Sequence, residues 1–259
     1  MMRLFTILAF TFVYLILPAN SFAIENDHII KLLEEEKRLS LKNLWPGFKP
    51  QEIPLALFDG KNTYLVGHNN PPAEFKEFPG TSGLMVMKGR HKAVVANSSN
   101  DIGNTKCATL MLDLFKDRSF TDAAAVILHE KFHVHQATAF KKWGINEAVG
   151  FTYPMQDIQQ NLLFKMESEA LSNALEAKDI ADTAAWSSYF LKLRAKRFKL
   201  VGEEQGGYDR AVEAIEGTAF YVERKSKGIL DSTKSLKSNY KATDVRRRAY
   251  ATGAALAAI

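Results

Sequence analysis

Hydrophobic residues recur with two different periods along the chain, and the change of period separates its parts. In residues 26–45 they return every three or four positions, which predicts an amphipathic helix that ends at Pro46 and Gly47. Residues 54–115 instead contain short β-prone runs separated by turn-forming segments rich in Gly, Asn and Pro, which predicts a small, mostly antiparallel sheet of four or five strands. The predicted strands are PLALF, TYLVG, GLMVM, KAVVA and CATLML, and one predicted turn is NSSNDIGN.

From Ser119 onward the pattern is helical. Ser119 and Asp122 form a capping box that opens a helix, which we expect to run to Trp143 and to stop at Gly144. Further helical patterns cover residues 155–179, 182–201 and 208–227 and resume at 243, with GEEQGG as a loop. The predicted fold is therefore α+β, with a small sheet followed by a predominantly helical part.

The first 23 residues have the three parts of a secretory signal peptide. Arg3 supplies positive charge, an apolar run of about fourteen residues follows, and Ser21-Phe22-Ala23 offers small residues for cleavage. The apolar run is shorter than the roughly 20 residues that a membrane-spanning helix requires. We expect cleavage before Ile24, no stable membrane span afterwards, and a secreted or periplasmic protein. An uncleaved N-terminal anchor is the alternative.

After the signal peptide at 1–23, the chain divides into two further parts. Residues 24–118 would form the N-terminal helix and a β-rich subdomain, and residues 119–259 a helical subdomain. The last residues, AALAAI, still follow an apolar helical pattern, so we expect a truncated or unusually abrupt C-terminus. Cys107 is the single cysteine and lies in an apolar run, so we interpret it as a buried structural residue.

Composition and charge narrow the function classes. The 259 residues are 46% hydrophobic and 24% charged, which is typical of globular proteins and excludes disordered and collagen-like ones. The formal charge of +5 is too small to indicate nucleic acid without a concentrated basic patch. Residues 224–248 hold nine Lys and Arg against two Asp, but Tyr240 is their only aromatic residue. We therefore expect a solvated basic face and no nucleic-acid partner, with an anionic partner as the alternative.

The predicted helix after Ser119 contains an HExxH motif, His129-Glu130-Lys131-Phe132-His133. Two histidines four residues apart lie on one face of a helix, so both rings can bind one zinc ion. Glu130 lies at the edge of that face, where it can act as a general base toward water. His135 lies roughly 200° around the helix from His133 and cannot share the same metal, so we interpret it as structural.

A catalytic zinc site of this kind needs a third protein ligand. Glu216 is the favoured candidate, because Gly217 and Ala219 beside it are small enough to let its helix approach the HExxH helix. A glycine inside a helix costs about 1 kcal/mol relative to alanine, so Gly217 requires a packing reason. Glu213, on the same predicted helical face, could then form a hydrogen bond to the ring nitrogen of a ligand histidine that does not bind the metal.

Two other carboxylates remain candidates for the third ligand. Glu167 and Glu169 lie 34 and 36 residues after His133, on the next predicted long helix. Either of them could bind the metal directly or support a ligand.

HExxH followed by the segment EGTAFY at 216–221 resembles the gluzincin metallopeptidases, in which a glutamate of an E-G-x-A segment is a zinc ligand. The resemblance implies a zincin-like helical domain, with His129, His133 and Glu216 as zinc ligands and Glu130 as catalytic base. It covers two short segments, and 83 residues separate His133 from Glu216, far more than in the aminopeptidase members. No GxMEN-type exopeptidase signature is present, so an aminopeptidase assignment is not supported.

The sequence therefore predicts a secreted zinc metallopeptidase that hydrolyses peptide bonds of a peptide or protein substrate, using zinc-activated water and Glu130 as base. Two alternatives stay open: an exported binding protein with an accidental or vestigial HExxH, and a zinc hydrolase of non-peptide substrates. A further donor should stabilise the oxyanion, and a strand before the active helix, in ANSSND or CATLML, should bind extended substrate. The candidate oxyanion donors are Tyr208, Tyr221, Tyr250 and His135.

Overall fold

The computed structural model describes residues 26–115, 117–229, 233–238 and 241–259. The predicted signal peptide, its cleavage before Ile24 and the aromatic Tyr240 therefore lie outside the described residues. Within the described part of the chain, no helix is both long enough and apolar enough to cross a membrane.

A six-stranded sheet forms the β-rich part of the described chain, in the order β3-β4-β2-β1-β6-β5. Every neighbouring pair is antiparallel except β1 and β6, which are parallel, so the predicted small and mostly antiparallel sheet is confirmed, but it has six strands rather than four or five. The strands are β1 Leu55–Phe58, β2 Asn62–Val66, β3 Lys76–Glu77, β4 Leu84–Lys88, β5 Ser98–Ile102 and β6 Thr105–Met111.

Two predictions for the sheet are wrong, and they concern neighbouring segments. The run KAVVA is not a strand; its Val94 is fully buried in a small apolar cluster on one face of the sheet. The segment NSSNDIGN, predicted as a turn, supplies β5 at the sheet edge. Only its end is a turn, at Gly103 with φ +57°, which joins β5 to β6. A strand at the edge of a sheet needs few apolar residues, so the polar sequence of β5 has the composition that is typical of a loop.

Nine α-helices account for most of the rest of the described residues, so the predicted α+β class is confirmed. They are α1 Asn26–Ser40, α2 Phe120–Ala139, α3 Ala148–Phe151, α4 Ile158–Glu176, α5 Ile180–Val201, α6 Glu203–Val212, α7 Thr218–Ser226, α8 Thr233–Leu236 and α9 Val245–Leu256. A single π-helical turn, Glu213–Gly217, joins α6 to α7.

Some helix boundaries differ from the prediction for local reasons. α2 ends at Ala139 rather than Trp143, because Phe140 leaves the helical conformation and stacks on Trp143 with ring centroids 4.2 Å apart. GEEQGG is helical rather than a loop and begins α6. Its Gly206 lies so close to α5 that a Cβ there would be 3.1 Å from the Phe198 ring, so this glycine serves close packing.

One hydrophobic core spans the boundary predicted at residues 118 and 119. Leu32 of α1, Leu57 of the sheet, Leu128 of α2 and Val222 of α7 all belong to it, and each is at most 1% exposed. α2 is therefore held on several sides, with α1 also fixed to it by the buried pair of Lys131 and Glu36 at 3.0 Å. The helix that carries the HExxH motif is thus a rigid central element.

The π-helical turn and α9 touch backbone to backbone through two glycines. A Cβ on Gly217 would lie 2.5 Å from the Cα of Gly253, and a Cβ on Gly253 would overlap the backbone of Glu213. The sequence predicts that Gly217 allows close packing against the HExxH helix, and this prediction is wrong. The glycine instead allows the close approach of α9. Ala219, which is fully buried in the core that α2 shares, does face that way.

We expect the substitution Gly253→Ala to destabilise the protein by about 1 to 3 kcal/mol, because the added methyl group must displace the π-helical turn. The measurement is the free energy of unfolding from denaturant titration. Gly207→Ala in α6 is the matched control: its Cβ would meet only the end of the Arg210 side chain, at 3.9 Å, so stability should stay equal or rise. Equal stability of both variants would contradict the close-contact account.

Candidate metal centre

α2 begins at the predicted cap and presents both histidines on one side. The Ser119 hydroxyl accepts a hydrogen bond from the backbone N–H of Asp122 at 3.1 Å, which confirms the capping box. His129 and His133 follow one turn apart, with ring centroids 4.8 Å from each other. Glu130 is buried beside them and lines the same cleft.

The π-helical turn brings Glu216 to these two rings. Its Oε2 lies 3.5 Å from Nε2 of His129 and 3.4 Å from Nε2 of His133. One ligand atom from each of the three residues lies within 4.8 Å of the other two, and this is the one such group among the described residues. The structure thus brings together the three residues that the sequence predicts as ligands.

Two of the three distances between these ligand atoms fit a tetrahedral metal ion. Zinc binds imidazole nitrogen and carboxylate oxygen at about 2.0 to 2.1 Å, which places neighbouring ligand atoms about 3.3 to 3.4 Å apart at the tetrahedral angle. The two nitrogen–oxygen distances of 3.4 and 3.5 Å match that edge length. Two imidazoles and one carboxylate leave a fourth position free, as in catalytic rather than structural zinc sites.

Gln136 orients His133 and ties α2 to the π-helical turn. Its Oε1 lies 2.8 Å from Nδ1 of His133, and since this oxygen only accepts, Nδ1 carries the proton and Nε2 stays free for a metal. Its Nε2 donates to the carbonyl of Ile215 and to the hydroxyl of Thr218, both at 2.8 Å. The buried amide therefore fixes a ligand ring and the segment that carries the third ligand at once.

Glu223 takes the supporting position that the sequence assigned to Glu213. Its Oε2 lies 3.4 Å from Nδ1 of His129, on the side of the ring away from Glu216. Glu213 instead forms a buried ion pair with Arg194 of α5. The π-helical turn explains the exchange: its wider winding rotates Glu213 away from the face that Glu216 and Glu223 share.

The electrostatics of the cluster favour a bound cation. Burial alone would lower the pKa of His129, but the nearby carboxylates of Glu216, Glu223 and Glu130 outweigh it and raise this pKa to about 10. For Glu216 burial acts upward, yet its contacts with both histidines and Tyr250 hold the pKa well below the usual range. Burial raises the pKa of Glu130, which makes its carboxylate a stronger base.

The alternative third ligands lie elsewhere. Glu167 is fully buried in an ion pair with Arg197, whose Nε is 2.6 Å from Oε1. Glu169 is exposed and lines a different cavity. His135 stacks on Phe132, with ring centroids 5.5 Å apart, as expected for a structural histidine.

Among the candidate oxyanion donors, Tyr250 lines the cleft. Its hydroxyl donates to Oε2 of Glu216 at 2.5 Å. Tyr221 packs edge-on against Trp45, with centroids 6.0 Å apart, and Tyr208 is buried beside Gly150. Neither of these two lines the cleft.

Arg246 is a site residue that sequence reasoning missed. Its Nη2 donates to Oε1 of Glu216 at 2.7 Å, and its Nη1 donates to both carboxylate oxygens of Glu147 at 2.8 Å. The prediction of a solvated basic face is therefore wrong for this member of the basic segment. Gln136 and Glu223 had a usable signal, since they fall at helical spacing from His133 and Glu216. For Arg246, the sequence contained no signal of a role in the site beyond the charge of its side chain.

The cluster opens into a cleft of about 450 Å³. Ser98 and Ser99 of β5 line one side, and Phe140 and Trp143 line another. β5 is the last strand of the sheet and pairs only with β6 among the described strands. The cleft therefore combines a possible metal site, a buried carboxylate, two hydrogen-bond donors and an edge strand.

Comparison with known protein families, curated proteins and solved structures found no match to this chain.

Zinc binding by Glu216→Gln should fall by more than about 100-fold, because loss of a direct ligand exceeds the about 10- to 100-fold effect of outer contacts. The measurement is competition with a chromogenic chelator on the purified protein. Glu169→Gln, an exposed carboxylate away from the histidines, is the matched control and should bind as the unmodified protein does. Loss of zinc in Glu169→Gln with retention in Glu216→Gln would refute the assignment.

Glu223→Gln should keep the zinc site but weaken it by about 10- to 100-fold, because the amide holds His129 less strongly than the carboxylate does. Glu213→Gln provides the comparison on the same segment, and its zinc affinity should change less while its stability falls. The same chelator titration, paired with denaturant unfolding, measures both effects. A larger loss of affinity in Glu213→Gln would restore the role that the sequence assigned to that residue.

Proposed function

We propose that this protein is an exported zinc metallopeptidase of gluzincin type that hydrolyses peptide bonds. One observation carries the proposal: the Nε2 atoms of His129 and His133 converge on Oε2 of Glu216, beside the buried Glu130, at an open cleft. Zinc is the metal that best suits two imidazoles and one carboxylate with a free position. The resemblance of the HExxH and EGTAFY segments to gluzincins supports the same reading.

When bound by His129, His133 and Glu216, zinc would supply Lewis acidity that polarises a carbonyl and acidifies water. Glu130 accepts the proton of the attacking water, and it later returns that proton to the leaving amine. The burial that raises the pKa of Glu130 makes its carboxylate a stronger base toward the attacking water.

Tyr250 and Arg246 are the side chains that can donate to the developing oxyanion. Both line the cleft and both already donate to Glu216, so their positions are fixed before substrate binds. Burial and the neighbouring Glu216 raise the pKa of Tyr250 above its usual value, so its hydroxyl stays protonated, and it would turn that one proton from Glu216 to the oxyanion.

An extended peptide suits this cleft better than a compact small molecule. The edge strand β5 runs along the cleft and has backbone groups on the side away from β6. A peptide that adds to such an edge gains main-chain hydrogen bonds whatever its sequence. The exposed edge of β5 therefore supports a peptide substrate more than the other substrate classes of zinc hydrolases.

Glu130→Gln should retain zinc and lose peptide hydrolysis by about 10²- to 10⁴-fold, because the amide cannot accept the proton. A fluorogenic peptide library gives the rate, and a metal analysis of the same sample gives the zinc content. A chelator should abolish the activity of the unmodified protein, and added zinc should restore it.

Three outcomes would decide between the proposed function and its alternatives. A purified mature chain that holds no zinc would favour a binding protein with an accidental HExxH. Zinc without peptide cleavage, but with chelator-sensitive cleavage of esters, would favour a non-peptide hydrolase. Peptide cleavage that persists in Glu130→Gln would remove the proposed base.

A further inference from the structure

α9 separates the metal centre from a second cavity. Arg246, Tyr250 and Gly253 lie on the face of α9 that contacts Glu216 and the π-helical turn. Arg248 lies two residues after Arg246, which at about 100° per residue places it on the opposite side of the helix. That side borders a cavity of about 590 Å³ between α4, α8 and α9.

Arg248 is buried without a carboxylate partner, unlike the other buried arginines of this region. Arg197 pairs with Glu167 and Asp209, whereas Arg248, only 5% exposed, has no carboxylate within ion-pairing distance among the described residues. Its Nη1 donates to Oδ1 of Asn161 at 2.7 Å, and its buried Nε has no hydrogen-bond partner there. A buried guanidinium whose charge no carboxylate offsets is costly unless an anion approaches it.

The rest of the cavity provides an apolar wall and a mouth of mixed charge with more lysine than glutamate. Phe164 packs against the Arg248 guanidinium, 4.5 Å from ring centroid to carbon, and Leu236 adds a buried aliphatic side chain. Ser168, 7% exposed, lines the wall and offers a hydroxyl. Lys165, Lys237 and Glu169 also line the cavity and are exposed to solvent. The volume lies within the range of small-molecule sites, about 300 to 1,000 Å³.

We propose that this cavity binds a small amphipathic carboxylate, of the kind represented by a medium-chain fatty acid. The carboxylate accepts from the guanidinium of Arg248, which suits planar carboxylates, and the hydrocarbon chain lies against Phe164 and Leu236. The site shares no residue with the metal centre, so it is independent of the proposed peptidase activity. It also gives a function to one arginine of the basic segment.

Isothermal titration of the full mature protein with decanoate, decanol and acetate tests the proposal. Decanoate should bind saturably at one site, and the other two at least about 10-fold more weakly, because each lacks either the charge or the chain. Equal affinity for decanol would show an apolar cavity without a role for Arg248. Absence of saturable decanoate binding would overturn the proposal outright.

Two variants locate the site by different means. Arg248→Met should weaken decanoate binding by at least about 10-fold, since it removes the charge-assisted hydrogen bonds and keeps the side-chain length. Arg247→Met, at the exposed neighbouring position, is the matched control and should bind normally. Ser168→Leu keeps Arg248 but fills the cavity, so it should also lose binding while zinc affinity stays unchanged. Normal decanoate binding in a folded Arg248→Met or Ser168→Leu variant would place the ligand elsewhere.

Discussion

The carboxylate of Glu216 is the point at which three distant parts of the chain meet. One oxygen faces the Nε2 atoms of both HExxH histidines and accepts from Tyr250, and the other accepts from Arg246. α2, the π-helical turn and α9 are therefore all connected through this one carboxylate at the cleft. A helix that carried Glu216 even slightly displaced would leave the histidines as an isolated pair.

The backbone around Glu216 is irregular, and its neighbours hold it in that form. A π-helical turn is rare and is common at functional sites, because its wider winding redirects side chains that an α-helix would place elsewhere. Here Gln136 donates to the Ile215 carbonyl within this turn, Gly253 packs against its backbone, and Arg194 pairs with Glu213 at its start. Contacts from α2, α9 and α5 thus fix one turn of helix from three directions.

The sequence predicted what local patterns encode and missed what depends on distant contacts. The cap at Ser119, the shared face of His129 and His133, and the small residues beside Glu216 are all readable from spacing, and the structure brings the three proposed ligands together. Spacing assumes regular winding, so it assigned Glu213 a role that belongs to Glu223 across the π-helical turn. Arg246 could not be found in this way, because its partner lies 30 residues earlier in the chain.

Charge explains why such a cluster should accept a metal ion rather than stand as a purely structural network. Glu130 is buried, Glu216 and Glu223 are partly buried in the same small region, and Arg246 and Lys227 contact only two of the three, at 2.7 and 3.6 Å. Elsewhere in the helical part, the buried Arg197 contacts two carboxylates directly and needs no ion. A cation between the histidines and Glu216 would offset the remaining repulsion, and its binding energy would add to the stability of the folded chain. The carboxylates gathered at the cleft, set against the paired charges behind it, are therefore the feature on which the proposed metal site depends.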